Sequence, residues 1–144
     1  MTRGIALTDA VLAQLASITA ANGYATDIKS VYPFASVKPD SAPLPVILLR
    51  VESDEATGER AGRSVQRAAT YEVEAVFPRT ATLQDLQQCQ HDILMALGYG
   101  EIPPARDLVP GEVVQEGSEF DPGEGSPTRK LISTLVIHYV EKYF

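Results

Sequence analysis

The last fourteen residues, LISTLVIHYVEKYF (Leu131 to Phe144), form the most strand-like stretch of the chain, dense in β-branched and aromatic side chains. A stretch of this kind at a terminus frays unless it is paired, so the chain has to build a sheet that takes in its own end. Odd positions Leu131, Leu135, Ile137, Tyr139 and Tyr143 are mostly apolar, whereas even positions include Thr134, His138 and Lys142. That period of two describes a strand with one face on a core. The rest of the sequence must therefore supply strands to pair with it and elements to cover its apolar side.

Partner strands can be read upstream. VILLRV, Val46 to Val51, is almost continuously apolar and reads as a strand covered on both faces, placed centrally in the sheet. QRAATYEVEAVFP alternates Tyr71, Val73, Ala75 and Phe77 against Glu72, Glu74 and Val76, a half-exposed antiparallel strand stopped by Pro78. Asp27 to Tyr32 reads as a short strand leading to Pro33, and GEVVQEGSEF as another, followed by a turn over DPGEGSPT, Asp121 to Thr128. Tyr99 to Pro110 reads as an irregular connector.

Two segments have the period of a helix. TDAVLAQLASITAANG carries Val11, Leu12, Leu15 and Ile18 on one side, with Thr8 or Asp9 as the expected N-cap and Gly23 as the stop. TLQDLQQCQHDILMALG has Thr82 and Asp85 at capping-box spacing, Leu83, Leu86, Ile93, Leu94 and Leu97 on one face, and Gly98 at its end. The expected fold is α+β: a mainly antiparallel or mixed sheet of about four to five strands with two helices packed on it. Leu12, Leu15, Leu86, Ile93 and Leu97 should meet the inward strand residues. A chain of 144 residues fits one domain, 1–144, and 44% apolar with 22% charged residues is ordinary for a globular protein.

Composition narrows the chemistry. Nineteen acidic against twelve basic residues leave a net charge of −7, which argues against a surface that grips phosphates, so no specific nucleic-acid binding is expected. Cys89 is the only cysteine and cannot form an internal disulfide, which fits cytoplasmic folding. The N-terminal segment is interrupted by Asp9, Gln14 and Ser17, unlike a signal peptide, and no run is long enough to span a bilayer, so no membrane association is expected.

No residue set points to catalysis, a metal or a cofactor. Cys89 and His91 are two apart on a helix, roughly 200° around its axis, and do not converge on one ion. No G-x-S-x-G elbow is present, and GYGEIPP and PGEGSP lack the spacing of a phosphate loop and read as turns. Glu112, Glu116, Glu119, Asp121 and Glu124 follow no calcium-loop spacing and read as a solvated acidic face. Between Asp54 and Ser64, DEATGERAGRS has no apolar residue larger than alanine and is expected to be a mobile hairpin loop. With Asp54, Glu55, Glu59, Arg60, Arg63 and Arg67, the 54–67 stretch is charge-dense but balanced, as in an arm that orders against a partner protein.

Taken in order, an N-terminal helix ending in NGYATDIKSVYPF, the proline-led strand LPVILLRV, a charged loop, TYEVEAVF, TLQDLQQCQHDILMALG and a terminal strand LVIHYV resemble the tail terminator proteins of long-tailed bacteriophages and prophages. The resemblance covers most of the chain in element order and length. It implies a virion protein, assembled in the host cytoplasm, that forms a six-fold homo-oligomeric ring on the last ring of tail-tube protein. Such a ring stops tube polymerisation and offers a surface to the head-completion or neck protein, with no catalysis and no cofactor. Six copies would carry about −42, and a channel lined by that charge would let DNA pass without sticking. The 54–67 stretch is then the expected contact with the tube or a neighbouring subunit, and Tyr143 and Phe144 are expected at a subunit contact or sheet margin. Rival readings are another neck component, such as a head-completion or connector protein, and a small-molecule-binding α+β domain that uses His138 or Asp92 in a pocket.

Overall fold

The computed structural model describes residues 2–58, 60–99 and 109–143. Its elements follow as α1 (Arg3–Ala16), β1 (Ser30–Pro33), β2 (Val46–Ala56), β3 (Ser64–Pro78), α2 (Leu83–Ala96), β4 (Glu112–Asp121) and β5 (Thr128–Lys142), with a 3-10 turn at Ala20–Asn22. The strands make one sheet in the order β1-β2-β3-β5-β4. Only β1 and β2 are parallel; every other pair is antiparallel. This is the expected α+β class, with a mixed sheet.

The terminal strand is interior. β5 pairs with β3 from Thr128↔Pro78 to Lys142↔Ser64 and with β4 on its other side, so its backbone is bonded along both edges. Leu131, Leu135, Ile137 and Tyr139 are buried beneath the helices, as the alternation predicts. β2 is also interior, but the middle strand is β3. Val46, Ile47, Leu48 and Leu49 are buried on both faces because the 34–45 segment folds over the side away from the helices, packing Tyr32, Ala35, Ala42 and Leu44 on Val46, Leu48 and Val76. The same cover buries Val76 of β3, and Glu74 is buried beside Arg50, so that strand is half-exposed only in its first half.

Two boundaries differ from expectation. α1 starts at Arg3, not after Thr8, with Thr2 as N-cap accepting from the Ile5 amide at 3.1 Å. The earlier start brings Leu7 onto the stripe with Val11 and Leu15 and releases Thr8 to hydrogen-bond the Tyr71 hydroxyl at 2.8 Å. Gly4 permits this geometry: a Cβ there would lie 3.0 Å from the Tyr139 oxygen. The helix ends at Ser17, and Gly23, at φ 89°, closes the following 3-10 turn.

The second correction concerns the predicted 54–64 loop. β2 continues to Ala56, with Asp54, Glu55 and Ala56 opposite Ala69, Ala68 and Arg67, and only the stretch from Thr57 to Arg63 lies between the strands. A lack of apolar side chains rules out core packing, but it does not stop the backbone from pairing, and β5 secures β3 along the same stretch. The result is a β2–β3 ribbon.

α2 forms as expected. Both capping-box bonds are present, Asp85 N–H to Thr82 Oγ1 at 3.2 Å and Thr82 N–H to Asp85 Oδ2 at 2.8 Å, and Gly98 turns the chain at φ 76°. Leu86, Ile93 and Leu97 are buried and Leu94 packs partly, but Leu83 is exposed; Cys89, Asp92 and Ala96 complete the buried stripe. The turn from β4 to β5 depends on Gly123, where a Cβ would meet the Thr128 carbonyl oxygen at 1.9 Å. The connector expected over Tyr99 to Pro110 falls largely outside the described residues.

Candidate interaction surface

Residues paired across the sheet share a face, and the two faces differ in kind. One carries Ile47, Leu49, Tyr71, Val73, Leu135 and Ile137 and is closed by α1 and α2. The other carries Arg50, Glu72, Glu74, Ile132 and Thr134, with Glu119 and Gly117 on β4, and among the described residues no helix covers it.

The ribbon, the end of β5 and the start of α1 come together on the helix side. Thr2, Gly4, Ile5, Asp54, Arg67, Tyr139 and Tyr143 are among the residues lining a concavity of about 570 Å³ there. Arg67 holds Asp54 through Nε at 2.5 Å and reaches the Asp54 carbonyl at 3.0 Å and the Tyr143 hydroxyl at 3.5 Å. Asp54 also accepts from the Tyr139 hydroxyl. Burial, and then the Asp54 carboxylate, push the Tyr139 phenol well above its usual range, so it stays protonated and donates. Glu141 accepts from the Arg3 and Gly4 amides at 3.1 and 2.9 Å, fastening β5 to the first turn of α1. Burial raises the Glu141 carboxyl, but the Gly4, Arg3 and Lys142 amides outweigh it and hold the group below the usual carboxylate range.

Of the residues singled out in the sequence, the structure thus brings Asp54 and Arg67 of the charged stretch together with Tyr143 of the terminal strand. Glu55 pairs with Ala68 and shares the opposite face of the ribbon. Arg60 and Arg63 are exposed near its tip, where Arg60 donates to the Gly62 carbonyl at 2.8 Å and the Arg63 carbonyl accepts from the Tyr143 amide at 2.7 Å. Glu59 and Phe144 lie outside the described residues. Tyr139, Glu141, Tyr71 and Thr8 were missed as polar members of this site. Inward tyrosines on strands, whose hydroxyls need a partner, were the available signal.

On the helix-free face, Arg50 bridges Glu72 at 2.6 Å and Glu74 at 3.2 Å, with Glu52 and Lys130 farther out at 3.9 Å. Arg50, and then Glu52, hold the Glu72 carboxyl below its ordinary value, whereas Glu52 is raised chiefly by Glu72. Counting face by face among the described strand residues, Glu55, Glu72, Glu74, Glu112, Glu119 and Asp121 outnumber Arg50, Lys130 and Lys142. This side is therefore net acidic.

The residues of the pocket reading do not meet. Asp92 is buried on α2 and accepts from the Thr26 amide at 2.8 Å, whereas His138 lies on the other side of the sheet beside Gln66. Cys89 is buried, and loss of solvation pushes its thiol up to about 12, so it is not a nucleophile near neutrality. Among the described residues no group of three or more His, Cys, Asp or Glu is placed to hold a metal, and no helix is long and apolar enough to cross a membrane.

No protein-family model matches the chain, and no curated protein matches it in sequence. A similar fold occurs in a chain of the virion of a native gene transfer agent particle, at a TM-score of 0.60 and 17% identity, covering 96% of each chain.

Proposed function

We propose that this chain is a structural protein of a phage-like virion, and that it caps the tail tube as a six-fold ring, stopping tube growth and presenting the surface that the head-completion protein joins. The observation that carries the reading is the nearly end-to-end likeness to a chain of a gene transfer agent virion, with 96% of each chain matched. The element order that resembles tail terminators supports the finer role.

In such a ring the helix-free face would line the channel. Its excess of carboxylates repels phosphate, as a conduit for DNA requires. The ribbon, with Arg60 and Arg63 exposed at its tip, would reach the tube or the next subunit. Tails made without the protein should show uncontrolled tube lengths by electron microscopy. Tails of normal length that fail to join heads would instead assign the chain to another neck position. Charge reversal of Arg60 and Arg63 should lower the yield of joined particles, and normal termination and joining would refute the ribbon's role.

A further inference from the structure

Phe34 is 89% exposed and Val37 75%, the two most exposed large apolar side chains among the described residues, and both belong to the loop that follows β1. Phe34 is also the one described non-glycine residue at positive φ, 51°, a conformation that a bulky side chain adopts only under constraint. Its amide is bonded to the Leu49 carbonyl at 2.7 Å, so the backbone is pinned while the ring projects into solvent.

β1 is one margin of the sheet and β4 the other. At the β4 margin, Leu83, Leu86, Phe120, Asp121, Pro122 and Arg129 line a mainly apolar recess of about 230 Å³. A dry apolar cavity of about 150 Å³ accommodates benzene, so this one has room for a phenyl ring. The Arg129 guanidinium is held by the Ala81 carbonyl at 2.8 Å through one terminal nitrogen, while its buried Nε has no acceptor among the described residues. A fixed guanidinium plane with unused donor capacity favours an aromatic occupant over an aliphatic one.

We infer that Phe34 of one copy seats in the Leu83–Phe120–Arg129 recess of the next copy, making the head-to-tail contact of the ring. A projection at one margin and a recess at the opposite margin cannot satisfy each other within one chain, and together they define a heterologous interface, the type that closes into rings. Charge favours the same partner. Lys38, four residues past Phe34, has its ammonium near only the Pro39 and Asp40 carbonyls and no carboxylate partner among the described residues, and Asp121 lies in the recess wall. The inference rests on the ring reading above.

Two single-site variants test it, Val37→Cys and Gln87→Cys, exposed positions close to Phe34 and Leu83 that leave the phenyl ring and the recess intact; the buried Cys89 stays silent. Treated with a short bismaleimide, a mixture of the two should give a linked pair that neither gives alone, and the double variant should give a ladder ending at the ring size. Phe34→Ala should weaken self-association at least tenfold at unchanged melting temperature, with Phe34→Trp retaining most of it. Linkage of Val37→Cys to itself, or only to a different virion protein in assembled particles, overturns the contact. Assemblies that form without any 37–87 link overturn it while leaving the ring standing. A chain that remains single even on isolated tails overturns both.

Discussion

Leu135 and Ile132 sit three residues apart on β5 and belong to opposite faces of the sheet. Leu135 is opposite Tyr71 beneath the helices and fully buried, whereas Ile132 is opposite Glu74 on the side without helices and only partly covered. The first face is specified by shape, through close packing of Leu7, Val11, Leu15, Leu86 and Ile93 on inward strand residues. The second is specified by charge, through Arg50 and its carboxylates, with a small apolar cluster under the 34–45 loop. The first face holds the fold by packing, and the second adds charged hydrogen bonds to it while leaving much of its surface open.

Truncating the two side chains should expose that difference most strongly. Leu135→Ala should cost about 2–5 kcal/mol in urea unfolding, from lost burial plus the cavity left behind, and Ile132→Ala less than about 1 kcal/mol. Equal losses would show that the helix-free face is as buried in solution as the core, which a single chain does not provide.

Legibility in the sequence follows the same division. The period-two pattern of β5, the capping box at Thr82 and Asp85, and the apolar run of β2 were readable because each depends on neighbours within a few residues. The start of α1 was not: its first turn is fastened by Glu141, 137 residues from Gly4, and Gly4 looks like a breaker until Tyr139 is seen beside it. The ribbon was hidden because polar side chains conceal backbone pairing, and the left-handed backbone of Phe34 has no local cue in SVYPF. For the candidate site, charge density singled out Asp54 and Arg67, which the structure bonds to each other, but their convergence with Tyr143 depends on how β3 and β5 register. The arginine that interrupts VILLRV was a signal for the ionic cluster, since an Arg in an otherwise apolar strand needs carboxylates beside it.

The ionic cluster gives a middle-sized effect. Arg50→Met should destabilise by about 2 kcal/mol at neutral pH, because it strips charged hydrogen bonds from Glu72 and leaves the buried Glu74 with only the distant Lys130. Arg50 holds the Glu72 carboxyl below its unfolded value, so the stabilisation is complete above that unfolded value and disappears as pH falls through the folded one. The gap between the two proteins in denaturant titrations should therefore narrow on acidification. A gap that stays constant from neutral to strongly acidic pH would show that Arg50 acts through the packing of its stem. Adding Glu74→Leu to Arg50→Met should recover part of the loss, since the stranded carboxylate is then gone.

The smallest of these effects lies where the helix side meets the ribbon. Glu141→Gln keeps the shape and one acceptor oxygen but removes the negative charge from the first turn of α1, which should cost about 1 kcal/mol. Because the folded Glu141 carboxyl titrates below its usual range, this contribution too is present above the unfolded value and lost as pH drops through the folded one. Hydrogen exchange adds a local readout that a global melt lacks. The Gly4 amide should exchange faster in Glu141→Gln, while the Leu135 amide on the same strand, held between β3 and β4, keeps its protection relative to global unfolding. Equal acceleration at both amides would mean that Glu141 supports the whole sheet, and the seam between α1 and β5 would then belong with the helix-covered core.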